Sequence, residues 1–309
     1  MFVFYKKLDL IGSGGYANVY LAQNVLTKQY AAWKELRVVS PENRQRFERE
    51  REMLKLYGAT DDAPKLLFDG LNANTPYIVM ELSTLGSLEQ FVGKPVDVKR
   101  CLRWLIDIGR TLERVQRNKH KHRDIKPSNL LLYYENGRER VKLSDFGIAH
   151  RQDTNSSLKT NSPLGTKEYL DSKAVRDNYF YPESDIFALG KTMRELLTGF
   201  REFNIFRPIP GPTSLTALIN SMTSDNLASR PSPQAIYQIA ERILREIQMA
   251  EEATLRAQQG QAPSINWGTV LKTALGIAAV ALVANSNTYD DNVGRYRNSK
   301  GQFASGWLD

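Results

Sequence analysis

His122-Arg123-Asp124-Ile125-Lys126-Pro127-Ser128-Asn129 is the stretch on which the reading of this chain turns. Asp124 and Asn129 stand five residues apart with Lys126 between them. Sixteen residues beyond Asn129 comes Asp145-Phe146-Gly147, directly after the strand-like Val141-Lys142-Leu143. A carboxylate to orient a hydroxyl, a lysine to meet a phosphate, and an Asn and an Asp able to hold a divalent cation are the groups that phosphoryl transfer requires.

Working upstream, Gly12-Ser13-Gly14-Gly15-Tyr16-Ala17-Asn18-Val19 is a glycine-rich turn between apolar runs. Glycines let the backbone bend tightly and bring bare N–H groups to phosphate oxygens. Taken alone, an ordinary hairpin turn explains it equally well, and Ala17 stands where a third glycine is usual. Ala32-Trp33-Lys34 follows on a strand. A strand lysine gains meaning when a helical carboxylate can reach it. Glu50 lies three and four residues before Met53 and Leu54 and shares their inward face, whereas Glu48 and Glu52 belong with the arginines on a solvated face.

From Tyr5 to about Gln248 the chain resembles the eukaryotic-type protein kinases. The resemblance implies an α+β, bilobal protein kinase fold, with a β-rich N-lobe (1–82) carrying one helix and a mainly helical C-lobe (83–250). It implies ATP and Mg2+ as cofactors, and it implies roles for particular residues. Ile11 and the loop Gly12, Ser13, Gly14 and Gly15, with Tyr16 at the tip, would cover the phosphates. Lys34 would pair with the α- and β-phosphates and with Glu50. Met80 resembles the gatekeeper, and Glu81 and Ser83 the hinge residues whose backbones bond adenine. Val19, Ala32 and Leu131 would sandwich the base. Asp124 would be the catalytic base, Lys126 would neutralise the γ-phosphate, and Asn129 and Asp145 would ligate Mg2+. Lys126 two residues after the base, and Thr166 in Gly165-Thr166, resemble the serine/threonine class, so the implied partner is a protein substrate with Ser or Thr hydroxyls.

Arg123 resembles the arginine that receives a phosphate on the activation segment. Thr160 or Ser162 is then an expected autophosphorylation site, facing Arg123 and His150; a flexible Ser/Thr-rich loop is the alternative reading of 148–164. The chain also departs from the family. Asp171-Ser172-Lys173 replaces the usual Ala-Pro-Glu, so Lys173 stands where a glutamate would bridge to Arg230. Either Lys173 turns to water or Asp171 substitutes. Lys119-His120-Lys121 replaces apolar residues, and His120 reads as a surface residue. His122 fits a spine position against Phe146, with Leu54 and Asp185 as other members. The short interval from Asp185 to Arg230 implies a trimmed helical lobe.

The remaining sequence bounds these readings. Residues 2–39 read as strands, Asn43–Tyr57 as a helix opened by Ser40-Pro41, and Tyr77–Leu82 as a strand. Val98 to Val115, Ile186 to Leu197 and Ile236 to about Ala257 read as helices. The single cysteine, Cys101, excludes an internal disulfide, fits a reducing compartment and reads as a small buried hydrophobe. The net charge of +8 comes with no basic stripe interleaved with aromatics, so no nucleic-acid partner is expected. Met1–Asp9 has no secretory pattern, which leaves a cytoplasmic kinase domain as the expectation. After a helix end and linker (251–264), Ile265–Ala284 is apolar, but its uncharged core is only the 12 residues Thr273–Ala284. It spans a bilayer, which needs ~20 residues, only if Lys272 snorkels and Trp267 anchors; otherwise it is a helix docking on the kinase or a partner. Residues 285–309 read as a polar flexible tail. A catalytically weak scaffold, a small-molecule kinase and a nucleic-acid-binding protein are the competing functions. Lys34, Glu50, Asp124, Asn129 and Asp145 are all present, which argues against the first. No feature sets an oligomeric state.

Overall fold

The computed structural model describes residues 4–146, 150–151, 167–201, 207–258, 288–290 and 295–297. Three strands open the chain: β1 (Tyr5–Ser13), β2 (Ala17–Asn24) and β3 (Tyr30–Leu36). With β4 (Leu66–Asp69) and β5 (Tyr77–Glu81) they form one antiparallel sheet in the order β1-β2-β3-β5-β4. The central strand β3 is the apolar one, with Ala31, Ala32 and Trp33 buried. Being paired on both sides, it holds Lys34 in fixed register, opposite Val19 on β2 and Ile78 on β5. Trp33 stacks on Tyr77 at 3.9 Å on the other face of the sheet.

The helix α1 (Pro41–Gly58) starts where the sequence signals it. Ser40 accepts a side-chain hydrogen bond from the Asn43 amide, and Pro41, which lacks the donor, sits in the first turn. Phe47, Glu50, Leu54 and Tyr57 are its buried stripe, while Glu48 and Glu52 are exposed.

The second lobe is built on α2 (Val98–Arg117), capped by the Asp97 carboxylate on the Arg100 amide. The two-residue strand β6 (His120–Lys121) pairs with β9 (His150–Arg151), and β7 (Leu130–Glu135) and β8 (Arg138–Leu143) form a hairpin. The hairpin turns at Asn136-Gly137, both with positive φ (51° and 77°), as a type I′ turn requires. Then come α3 (Ser172–Asp177), α4 (Pro182–Thr198), α5 (Thr213–Met222) and α6 (Pro233–Gln258), with a short pair β10 (Thr288–Asp290) and β11 (Arg295–Arg297) near the end. α4 stops at Gly199, whose φ of 73° only glycine adopts freely. α2 and α6 lie side by side, tied by Lys99–Glu251 and Arg110–Glu241. One apolar core runs through both lobes, from Ala32, Met80 and Leu54 through Phe146 and Leu130 to Leu189, Ile219 and Ile243, and a smaller cluster of Ala22, Ala31, Trp33 and Val79 lies apart from it on the sheet.

The bilobal architecture is as expected from the sequence, and α1, α2, α4 and α6 fall where their periodicity indicates, while α3 and α5 had no counterpart in that reading. The strands β4 and β7 went unread, the first because a register irregularity between Leu66 and Phe68 breaks its alternation. His120 is not a free surface residue: it is half-buried, and its Nδ1 is 2.7 Å from the Tyr57 hydroxyl. Cys101 is buried, and that burial pushes its thiol well above the ordinary range, so it behaves as a small hydrophobe. Among the described residues no helix is long and apolar enough to cross a membrane; the apolar segment 265–284 lies outside them.

Candidate active site

The two lobes meet over a cluster of charges that four separate elements deliver. Lys34 on β3 donates to Glu50 of α1 at 2.6 Å and to Asp145, just after β8, at 3.2 Å. Tyr16, from the β1–β2 turn, donates to Asp145 at 2.9 Å. Burial opposes charge on Lys34, but two carboxylates outweigh it and hold the ammonium above its ordinary range. Glu50 moves up, because burial comes first and Asp145 competes for the same lysine. Asp145 moves the other way: burial would raise it, but Lys34 and the bonds from Tyr16 and Lys34 hold it down at about 2. Asp145 itself sits in the left-handed region with φ 62°, a conformation that an ordered functional site sustains.

The side chains of the Asp124–Asn129 loop are organised by one another. Asn129 donates to the Asp124 carbonyl at 2.8 Å and to its carboxylate at 2.9 Å. Lys126 pairs with the same carboxylate at 2.9 Å. The Asn129 carbonyl accepts from both the amide and the hydroxyl of Ser144, the residue before Asp145. That ties the two expected metal ligands to adjacent turns of chain. Behind them, the buried Asp185 accepts the amides of His122 and Arg123, each at 2.8 Å. His122 meets Phe146 edge-on at 4.8 Å. Tyr57, which the sequence did not mark out, stacks on Phe146 at 5.4 Å, so α1 packs directly on the residue after Asp145. Gly147 lies outside the described residues.

Toward the hinge, Ala32 pairs with Met80 across β3 and β5, and both are buried. Val19 packs at the edge of the core, and Ile11 and Leu131 are half-buried. The Ser83 hydroxyl donates to the carbonyls of Gly86 and Leu132, which fastens the hinge to β7. The Glu81 side chain turns away to the fully buried Lys142, which also pairs with Glu135 at 2.7 Å. Gly12 and Ser13 end β1, paired with Val19 and Asn18, and Gly14 and Gly15 open the turn above, where a Cβ added at Gly15 would meet nothing within 4 Å.

The segment leading to the C-lobe resolves the departure at Lys173. Arg230 makes two bonds to Asp171, at 2.6 and 2.9 Å, and both side chains are fully buried. Ser184 donates to the same carboxylate at 2.8 Å. Lys173 instead pairs with Asp177 one turn along α3. So Asp171 takes the anchoring place and Lys173 faces away from the arginine. Tyr169 donates to the buried Glu195 of α4, which Arg201 also holds at 2.8 Å. Arg123 is buried, and its Nε and Nη2 have no hydrogen-bond partner among the described residues. Thr160, Ser162, Gly165 and Thr166, and the side chain of His150, lie outside them.

A sheet lobe and a helical lobe thus bring a Lys–Glu–Asp cluster and an Asp–Lys–Asn loop to one face of the core. The chain belongs to the protein kinase family: the protein kinase domain model matches residues 5–208. It is 29% identical over 248 residues to the serine/threonine-protein kinase PrkC of Bacillus subtilis, covering 78% of this chain and 36% of that protein. It is 31% identical over 208 residues to the serine/threonine-protein kinase PknB of Mycobacterium leprae, covering 63% of this chain and 32% of that protein. The inhibitor of nuclear factor kappa-B kinase subunit alpha of Xenopus laevis is 30% identical over 207 residues, covering 63% of this chain and 27% of its own. The chain thus spans about a third of the length of the curated relatives it matches.

Proposed function

We propose that this chain transfers the γ-phosphoryl group of ATP to Ser and Thr hydroxyls of protein substrates. The observation that carries the reading is Lys34 held between Glu50 and Asp145, across the cleft from the Asp124–Lys126–Asn129 loop. The donor set suits Mg2+, a hard cation that prefers oxygen: a carboxylate from Asp145 and a carboxamide oxygen from Asn129. The open turn at Gly14–Gly15 suits a phosphate chain approaching bare amides. Bound Mg2+ would spread the charge of the phosphates.

The chain's own residues do the rest. Asp124 accepts the bond of an incoming hydroxyl and orients it, while Asn129 and Lys126 fix the carboxylate that does so. Lys126 offers an ammonium to the transferring group. Lys34, kept charged by its two carboxylates, holds the non-transferred phosphates. Met80, Ala32, Val19 and Leu131 offer an apolar slot for the base, with the Glu81 and Ser83 backbones at its edge. Phosphate on Thr160 or Ser162 would fit the same scheme, since two buried guanidinium nitrogens of Arg123 lack a partner among the described residues. An unpaired buried donor costs about 1–3 kcal/mol, which an added phosphate relieves.

The test is transfer of radiolabelled γ-phosphate from ATP to a generic protein substrate, followed by phosphoamino-acid analysis. Label appears on Ser or Thr, and Asp145→Ala lowers the rate by about 10³-fold or more. Full turnover by Asp124→Asn, or no binding of Mg2+-ATP, overturns the reading.

A further inference from the structure

The tip of the glycine turn points inward, onto the charge cluster. The Tyr16 hydroxyl donates to Asp145 Oδ1 at 2.9 Å, with Glu50 Oε2 and Lys34 Nζ each 3.4 Å away. Its ring lies against the ammonium of Lys34, 5.3 Å from the centroid, and packs on the core. Asp145 Oδ1 also accepts from Lys34 at 3.2 Å, so both acceptor directions of that oxygen are taken from within the chain. The backbone is fastened in the same posture. The Arg37 amide donates to the Tyr16 carbonyl at 2.8 Å, and the Arg37 guanidinium donates to the Gly15 carbonyl at 3.0 Å. Within the turn, the Gly14 amide closes on the Ala17 carbonyl at 2.8 Å. Around the two glycines of the turn an added Cβ would meet at most the Ala17 carbonyl, 3.5 Å from that of Gly14, so the inward posture is set by the contacts of Tyr16 and Arg37 rather than by crowding.

We propose that Tyr16 is an internal competitor for Asp145, holding the closed turn on one oxygen of the carboxylate that is expected to meet the metal–nucleotide complex. The inference rests on the assignment of Mg2+-ATP to this cleft. A ligand that binds only the lifted turn has its dissociation constant divided, and so its affinity multiplied, by the fraction of molecules in which the turn is lifted. The contact therefore weakens nucleotide binding where the ligand reaches Asp145, and leaves untouched the binding of a ligand that fills the adenine slot alone. Arg37, outside the cleft, acts through the backbone of the same turn.

Calorimetric titration of the full chain with Mg2+ and a non-hydrolysable ATP analogue, and separately with adenosine, tests this. Tyr16→Phe binds the Mg2+-nucleotide about tenfold more tightly than the parent and binds adenosine equally. Arg37→Met shifts the Mg2+-nucleotide affinity in the same direction by a smaller factor. Tyr16→Leu, which removes the ring as well, repeats the tightening if the phenylalanine variant misfolds. Equal or weaker Mg2+-nucleotide binding by these variants overturns the proposal, because Tyr16 is then a lid on the ligand and not its rival. Equal tightening for adenosine overturns it too, since the effect is then on the adenine slot. A parent chain that binds adenosine and not the Mg2+-nucleotide, with variants that also do not, removes the nucleotide assignment itself.

Discussion

At the scale of residues, the buried partner of Arg230 is Asp171 and not Lys173, which stands where the family resemblance leads one to expect a glutamate. Asp171 and Arg230 are both fully buried, and Ser184 fills a further acceptor position of the carboxylate. Removing one partner of such a pair strands a buried charge, which costs about 3–5 kcal/mol. Asp171→Asn should therefore lower the melting temperature by on the order of 10 °C in differential scanning calorimetry. Lys173→Glu restores the family's residue yet should gain no bridge to Arg230 and should lower stability by up to about 1 kcal/mol, because it faces Asp177 with a like charge. The pH dependence follows. Burial would raise Asp171, but Arg230 and Ser184 hold it below the ordinary carboxylate range. Its folded form thus binds a proton less readily than its unfolded form. The pair's stability is complete above the ordinary carboxylate value of 3.8 and is lost as pH falls through the depressed folded value. Asp171→Asn should flatten that acid limb; an unchanged limb would show that the stability sits elsewhere.

At the scale of elements, close packing decides which positions tolerate change. Gly190 lets α4 lie against the end of α5, and a Cβ there would come within 2.8 Å of the Met222 Cβ and the Thr223 methyl. Gly190→Ala should cost about 1–3 kcal/mol in urea unfolding, with no loss of Mg2+-nucleotide affinity, since the atoms an added Cβ would meet belong to Met222 and Thr223 and not to the residues around Lys34 and Asp145. This level also explains what the sequence discloses and what it conceals. Asp124, Lys126, Asn129, Asp145 and the α1 face bearing Glu50 were legible because each sits at a fixed interval on one local element. The Asp171 bridge was legible only as one of two options, because its partner lies 59 residues away and nothing local chooses between them. The inward Tyr16, 129 residues from Asp145, and the Tyr57 stack on Phe146 were not legible at all. Neither was Lys142, which reads as a strand lysine and proves fully buried among carboxylates. In each of these the decisive neighbour is set by tertiary packing, which local pattern does not encode.

At the scale of the whole molecule, the fold extends well past the stretch that the family model matches. That match ends at residue 208. Leu215, Leu218, Ile219, Met222, Ile236, Ala240, Ile243 and Ile247 lie beyond it, and all are buried in the same core as Phe146 and Leu189. Burying a large aliphatic side chain contributes about 1.5–3 kcal/mol, so these positions together contribute on the order of 10–20 kcal/mol. That is as large as the net stability of a typical domain, about 5–15 kcal/mol. Cutting at 208 also bares the face of α2 on which α6 lies, and it strips Asp171 of Arg230. A chain of residues 1–208 should fail to fold, with no cooperative melt and strong binding of a hydrophobic dye. A chain of residues 1–258 retains every buried core side chain among the described residues, the last being Ile247. It should melt cooperatively at the temperature of the full chain and bind Mg2+-nucleotide with the same affinity. A large drop in melting temperature for 1–258 would mean that the segment beyond Gln258 packs on the kinase lobes, which is the docking role its apolar stretch suggests if it does not enter a bilayer.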